Sequence, residues 1–139
     1  MNKFKFLSHT ADAKFQAWGK TAEEAFENSA RAMFSLLVQK QVNPDIKKKI
    51  KLYGKDKEAL LYNFLEELLF LFDSEQFLFS KVEKIKIKKE KTDYVLEAEI
   101  SGDKTKGYKI SGDVKAITYN SMFVKTEKGK VTCQVVLDI

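Results

Sequence analysis

The sequence predicts an α+β fold, a two-layer sandwich in which two helices pack on one face of a mixed or antiparallel sheet, with the element order ββαβαββββ. Two segments carry apolar residues at helical spacing, and each follows a residue suited to capping a helix. Most of the remaining chain alternates apolar and polar residues, which is typical of strands with one buried face.

The first helix is predicted to follow two short strands. Residues 3–7 alternate lysine with apolar side chains, and a second strand runs to Trp18-Gly19 after a polar turn at 8–12. Thr21 has a glutamate three positions later, which is the capping-box pattern of a helix N-terminus. The apolar residues that follow recur at helical spacing up to Leu37, so we expect one buried face.

The second helix is predicted after a further strand. Residues 46–52 place isoleucine and leucine among lysines, so this strand has one wet face. Asp56 is suited to the N-cap position, and a broad apolar stripe runs from Leu60 to Phe72. The strand-rich second half has strands expected at 82–87, 94–100, 114–124 and 131–137, with a hairpin signal at Glu127-Lys128-Gly129-Lys130.

Composition limits the class of protein. The 139 residues suggest one domain, 1–139, large enough to bury an apolar core. The single cysteine, Cys133, excludes an internal disulfide and a multi-cysteine zinc site. No apolar run is long enough to cross a membrane and the start shows no signal-peptide pattern, so we expect a cytoplasmic protein without membrane contact.

The basic residues are almost all lysines. The net charge is +5, but only Arg31 among the 25 basic residues is an arginine, the side chain that reads phosphates and bases with paired hydrogen bonds. The lysine runs at 47–51 and 81–91 alternate at strand spacing and are interpreted as a solvated sheet face, with an acidic or phosphate-bearing partner as the alternative. Contact with RNA or nucleotides is therefore expected to be indirect or weak.

Common catalytic patterns are absent, since the chain has no G-x-S-x-G, H-E-x-x-H or C-x-x-C. His9 is the only histidine, and without a visible relay partner it is interpreted as a turn residue rather than a catalytic one. Lys115, Thr118 and Asn120 are polar positions on a strand that otherwise buries well. Surface exposure is their default interpretation, and support of a nearby acidic site is the alternative.

Two acids near opposite ends of the sequence suggest a cation site. Asp138 precedes Ile139, so its side chain and the α-carboxylate of Ile139 lie close together and repel each other, and a hard cation would relieve that repulsion. Asp12 becomes a third ligand if folding brings the two segments together. From spacing alone, a turn-capping Asp12 and a solvated Asp138 are the simpler interpretation.

Taken together, segments along nearly the whole chain resemble the archease family, in the family's order. The matching segments are 9–12, 24–30 with 32–34, 60–69, 114–119 and 136–139. The resemblance implies a small cytoplasmic, non-catalytic protein of tRNA splicing. It implies activation of an RtcB-type RNA ligase by promoting its guanylylation, multiple turnover and broader nucleotide use.

The resemblance also implies a divalent-cation site on Asp12, Asp138 and the carboxylate of Ile139. Its all-oxygen donors favour Ca²⁺, with Mg²⁺ as the alternative. Tyr108 and Asn120 stand where the family often has histidine. The supporting residues are His9, Asp103, Asp113, Lys115 and Tyr119.

Two other functions remain open from the residues. A metal-dependent phosphoesterase would use the same acids with His9 or Lys115 assisting, although three oxygen ligands leave few groups for acid–base chemistry. A basic RNA-binding or chaperone-like module would bind RNA without a ligase and with steep salt dependence.

Overall fold

A computed structural model describes residues 2–8 and 12–139 of the chain. Within these residues, seven strands and two helices follow one another in the predicted order, which confirms the α+β class. The elements are β1 (Phe4–Leu7), β2 (Ala13–Gly19), α1 (Ala22–Ser35), β3 (Ile46–Gly54), α2 (Lys57–Glu75), β4 (Phe77–Glu90), β5 (Asp93–Lys104), β6 (Ala116–Glu127) and β7 (Lys130–Asp138).

The strands divide into two antiparallel sheets, which differs from the one sheet expected from the sequence. The first sheet has the order β1-β2-β7-β6, and the second has the order β3-β5-β4. Helix α1 packs on β1, β2 and β7 of the first sheet and on β4 of the second, whereas α2 packs on β6 and on all three strands of the second sheet. Alternation reveals which face of a strand is buried but not which strand lies beside it, so the division into two sheets could not be read from the pattern.

Both helices begin at the predicted caps. The Thr21 hydroxyl accepts a hydrogen bond from the Glu24 N–H at 3.1 Å, and the Asp56 carboxylate accepts one from the Ala59 N–H at 2.7 Å. The Glu24 carboxylate accepts from the N–H of Lys20 rather than of Thr21, so the capping box is displaced by one residue. Local hydrogen bonding of this kind depends on a few neighbouring residues, which is why the sequence predicts it well.

The apolar core lies between the helices and the inner faces of the two sheets. The rings of Phe26 on α1 and Phe64 on α2 have centroids 6.1 Å apart, and both side chains are fully buried. Burying a ring of this kind contributes roughly 1.5–3 kcal/mol of transfer free energy, so this contact helps to hold the two helices together. Neither described helix is long and apolar enough to cross a bilayer.

Glutamates of the helices cover the edges of both sheets. Glu27 and Glu23 on α1 accept hydrogen bonds from the N–H groups of Val82 and Ile87 on β4, at 3.0 and 3.1 Å. Glu58 on α2 accepts from the N–H of Val124 on β6 at 3.1 Å. Backbone donors on edge strands are the groups that otherwise recruit another strand, so these carboxylates both satisfy and shield them.

Candidate acidic site at one end of the first sheet

The register of β2 and β7 brings the two predicted acidic ligands to the same end of the first sheet. Ala13 pairs with Leu137 in this antiparallel ladder. Asp12 precedes Ala13 and Asp138 follows Leu137, so the two acids lie at adjacent ends of neighbouring strands. Side chains at directly opposite positions of such a pair have Cβ atoms about 4.5–5.5 Å apart, a spacing that allows two carboxylates to share one cation.

The acid of β7 lies on the outer side of the first sheet. Ala13 and Leu137 are buried in the core, and alternation along β7 turns Asp138 to the opposite face. Asp12 is half-buried and Asp138 is exposed. Ile139, which carries the α-carboxylate, is also exposed and directly follows Asp138.

The start of β6 joins the same end of the sheet. The N–H of Lys115 donates to the backbone carbonyl of Asp138 at 2.7 Å, and Ala116 then pairs with Asp138 in the β6–β7 ladder. These contacts fix the backbone that carries the terminal acid, and the Lys115 side chain is exposed. The backbone of Lys115 thus lies beside that of Asp138, and its role in supporting the acids stays a prediction.

Other predicted supporting residues have different surroundings. Asp113 is exposed two residues before Lys115, in the segment that enters β6. His9 lies outside the described residues. Across the described ranges 2–8 and 12–139, no three or more His, Cys, Asp or Glu side chains form a group able to hold a metal ion. A cation held by the acidic pair would therefore need a further donor besides these side chains.

Asp103 takes part in a separate hydrogen-bond network at the end of β5. The Tyr108 hydroxyl donates to its carboxylate at 2.8 Å and accepts from the N–H of Asn43 at 3.0 Å. The Asn43 bond acts to lower the pKa of Tyr108, but desolvation and the bond to Asp103 outweigh it and raise the pKa. Tyr108 stands where the family pattern led us to expect a histidine. Its neutral phenol connects two loops through hydrogen bonds.

Tyr119 forms an aromatic contact that the sequence did not suggest. Its ring stacks on that of Tyr62 on α2, with centroids 4.3 Å apart and planes inclined by 4°. The stack occurs where the β6–β7 register shifts between Thr118 and Phe123, a bulge in which Ser121 has a φ of 56°. Tyr62 was missed because it lies within an apolar helical stripe, and nothing in its spacing distinguishes a stacking partner from a core residue.

The environment of the stack keeps both phenols protonated. Desolvation raises the pKa of Tyr62 and of Tyr119, and the nearby carboxylate of Glu66 adds to the rise in both. The charge of Asp56 contributes further at Tyr119. Tyr119 is thus placed to fasten the bulge to α2, and its ring remains about half exposed, at 54%.

Comparisons with known proteins agree with the fold and with the order of the motifs. The model of the Archease protein family (MTH1598/TM1083) matches residues 4–139. The protein archease of Methanosarcina mazei is 37% identical over 140 residues, covering 99% of this chain and 96% of that protein.

Two solved structures have the same fold. The solution structure of Methanobacterium thermoautotrophicum protein 1598 superposes with a TM-score of 0.87 at 36% identity, and the match covers 100% of both chains. The crystal structure of an archease from Thermotoga maritima, described as a possible chaperone, has a TM-score of 0.62 at 20% identity, with 97% of this chain and 96% of that chain covered. The second comparison concerns the fold alone. From the family model and the relatives at more than a third identity, this chain belongs to the archease family.

Proposed function

We propose that this protein is a non-catalytic activator of an RtcB-type RNA ligase in tRNA splicing and that it acts in the cytoplasm. Activation consists of promoting guanylylation of the ligase, sustaining multiple turnover and broadening its use of nucleoside triphosphates. Family membership supports this role. The observation that carries it is the juxtaposition of Asp12 and Asp138 at one end of the first sheet, where Asp138 is exposed.

The proposed cofactor is a divalent cation, Ca²⁺ with Mg²⁺ as the alternative. Asp12, Asp138 and the α-carboxylate of Ile139 would hold it, and their donor atoms are all oxygens, which suits a hard cation rather than zinc. When bound, the cation would neutralise the carboxylates and offer open coordination positions to phosphate oxygens. The fit rests on adjacency in the β2–β7 ladder and on the exposure of Asp138 and Ile139.

Backbone pairing within this chain supports the proposed site. The Lys115 N–H bond to the Asp138 carbonyl holds the end of β7 against β6. Ala13 and Leu137 anchor the two acid-bearing strands in the core directly beside the acids. Asp138 is thereby held on a backbone segment paired on both sides, which suits a role in positioning a bound group.

A paired measurement of cation binding and ligase activation tests the proposal. Asp138→Asn keeps the size of the side chain but removes its charge, and we expect calorimetric Ca²⁺ affinity and multiple turnover to fall together, each by about 10-fold or more. Asp93→Asn in the β4–β5 hairpin removes the same charge from an exposed acid on the other sheet and serves as the matched control. A folded Asp138→Asn variant that activates the ligase like the control would refute the proposal.

The terminal carboxylate has its own test. Appending a few glycines and serines after Ile139 moves the α-carboxylate away while leaving both aspartates in place. Weaker Ca²⁺ binding and weaker activation are expected, because one of three oxygen donors has gone. If Ca²⁺ affinity and ligase activation were both unchanged, the carboxylate of Ile139 would not be a ligand. Asp12 and Asp138 would then be the remaining proposed ligands.

A further inference from the structure

The outer face of the second sheet carries two rows of lysines. Apolar residues of β3 and β4 such as Ile50 and Ile85 turn toward the core cluster, so the intervening positions point away from it. All of these outward lysines are exposed. We call this surface the lysine face; its lysines are Lys47, Lys49 and Lys51 on β3 and Lys81, Lys84, Lys86 and Lys88 on β4.

A bulge in β4 places its four lysines on one face of the second sheet. Lys81 and Lys84 are three positions apart, a spacing that would put them on opposite faces of a regular strand. The β4–β5 register shifts between Val82 and Lys84, so one residue is left without a partner and the alternation is reset. Lys84, Lys86 and Lys88 then follow at intervals of two. The sequence shows the lysines, but only the bulge aligns all four.

Glutamates of the central strand β5 offset part of the positive charge of these lysines. In register across the sheet, Lys49 and Lys84 flank Glu99, and Lys51 and Lys86 flank Glu97. Each glutamate therefore lies between two lysines and can neutralise only one of them. With Glu83 and Glu90 included, seven lysines and four glutamates leave an excess of three positive charges on the lysine face.

Few of the ammonium groups are engaged by these acids. Lys51 lies 3.7 Å from Glu97, Lys81 lies 3.8 Å from Glu83, and Lys88 lies 3.9 Å from Glu90. Pairs of this length at exposed positions contribute little. Four lysines form no ion pair with any residue in the described part of the chain; they are Lys47, Lys49, Lys84 and Lys86. The lysine face thus retains ammonium groups available to an external anion.

The spacing of the charges suits an extended polyanion. Successive lysines in one row are about 6.7 Å apart along the strand, and the two rows are about 10 Å apart because one strand lies between them. Val95 on this face is 2% exposed although it lies outside the main core cluster, which fits lysine stems lying over it with their charged ends in solvent. Lysines act as point charges without the paired geometry that reads bases.

We propose that the lysine face binds the phosphodiester backbone of an RNA strand without sequence preference. The choice of RNA rests on the proposed function, which brings the protein to an RNA ligase; the charge pattern itself calls for regularly spaced phosphates. The lysine face belongs to the second sheet and the acidic pair to the first, so one surface holds RNA while the other remains available to the ligase.

The test is binding of fluorescein-labelled oligouridylate of about 20 nucleotides, followed by fluorescence anisotropy between about 0.05 and 0.3 M KCl. It uses the full chain with EDTA and without ligase, so its failure leaves the activator proposal to be judged by the Ca²⁺ experiment. The wild-type protein is expected to bind with an affinity that falls steeply with salt. No binding at the lowest salt concentration would overturn the proposal.

Matched triple variants locate the binding surface. Lys49→Gln, Lys84→Gln and Lys86→Gln together should make the plot of log K against log salt concentration shallower by about 2 and weaken binding about 100-fold at about 0.1 M salt, at roughly 0.7 log units per contact. Lys5→Gln, Lys125→Gln and Lys128→Gln remove the same charge from exposed positions of β1, β6 and the β6–β7 turn.

Two results would contradict the assignment. Equal losses in the two triple variants would show that net charge alone, rather than the lysine face, governs binding. Tighter binding of poly-glutamate than of oligouridylate at equal charge concentration would assign the surface to an acidic protein instead. Circular dichroism of each variant confirms that the lysine substitutions, all on exposed side chains, leave the fold intact.

Discussion

Removing the carboxylate of Glu27 should destabilise the protein by more than its partly exposed position on α1 suggests. This carboxylate accepts the N–H of Val82 on the edge of β4 and also pairs with Arg31, both at 3.0 Å. A hydrogen bond to a charged group contributes about 1.5–3 kcal/mol, and a helical ion pair of this spacing adds about 0.3–0.5 kcal/mol. We therefore expect Glu27→Ala to lower the free energy of unfolding by about 2–3.5 kcal/mol.

Urea denaturation and thermal melting measure this effect. For a chain of this size, each kcal/mol corresponds to roughly 3–5 °C, so Tm should fall by about 10 °C. Glu27→Gln keeps an acceptor for Val82 and should cost roughly 1 kcal/mol. Glu127→Ala removes a carboxylate that is 72% exposed and 3.9 Å from its lysine, and it should be nearly neutral. If Glu27→Ala were as mild as Glu127→Ala, the bond to the edge of β4 would not stabilise the fold.

Three further predictions concern the core, the lone thiol and acid stability. Gly102→Ala should lower the free energy of unfolding by about 3 kcal/mol or more, since the added Cβ would lie 1.9 Å from the backbone carbonyl oxygen of Leu78; an unchanged urea midpoint would contradict this. Burial raises the pKa of Cys133 to about 12, so at pH 8 a disulfide reagent should label it only as fast as the protein opens, and rapid labelling of the native state would be the contrary result. The hydrogen bond from Lys3 lowers the pKa of Glu24 from 4.5. The ionised Glu24 therefore stabilises the fold above pH 4.5, and this contribution is lost as the pH falls through the lowered pKa. The difference in free energy of unfolding between wild type and Glu24→Gln, measured by urea denaturation, should disappear in acid.

The features that the sequence predicted well are local. The caps Thr21 and Asp56 each bond a backbone N–H three residues away, and the turn after β6 uses Lys128 and Gly129 with φ of 52° and 74°. Such contacts involve a few neighbouring residues, and their chemistry is visible in the residue types. The same holds for the alternating strands, whose buried faces follow from spacing alone.

The features that the sequence did not reveal depend on distant partners. Nothing near Glu27 indicates that its carboxylate will meet a strand 55 positions later, and nothing near Tyr62 points to Tyr119. The acidic pair could be predicted only in part from the sequence. The acids Asp12 and Asp138 were recognisable by type and position, but their juxtaposition depends on a β2–β7 register that only the folded chain provides.

The two sheets should form at different times during folding. Every pairing in the second sheet joins residues between 46 and 104, whereas the β2–β7 ladder of the first sheet joins 13–19 to 131–137. Closing so long a loop costs more entropy before any contact compensates for it, so distant pairings form later. Until β7 inserts between β2 and β6, one edge of β2 has no partner strand, because β1 pairs only with the other edge. The nascent protein is therefore most prone to self-association in the interval before that last strand docks.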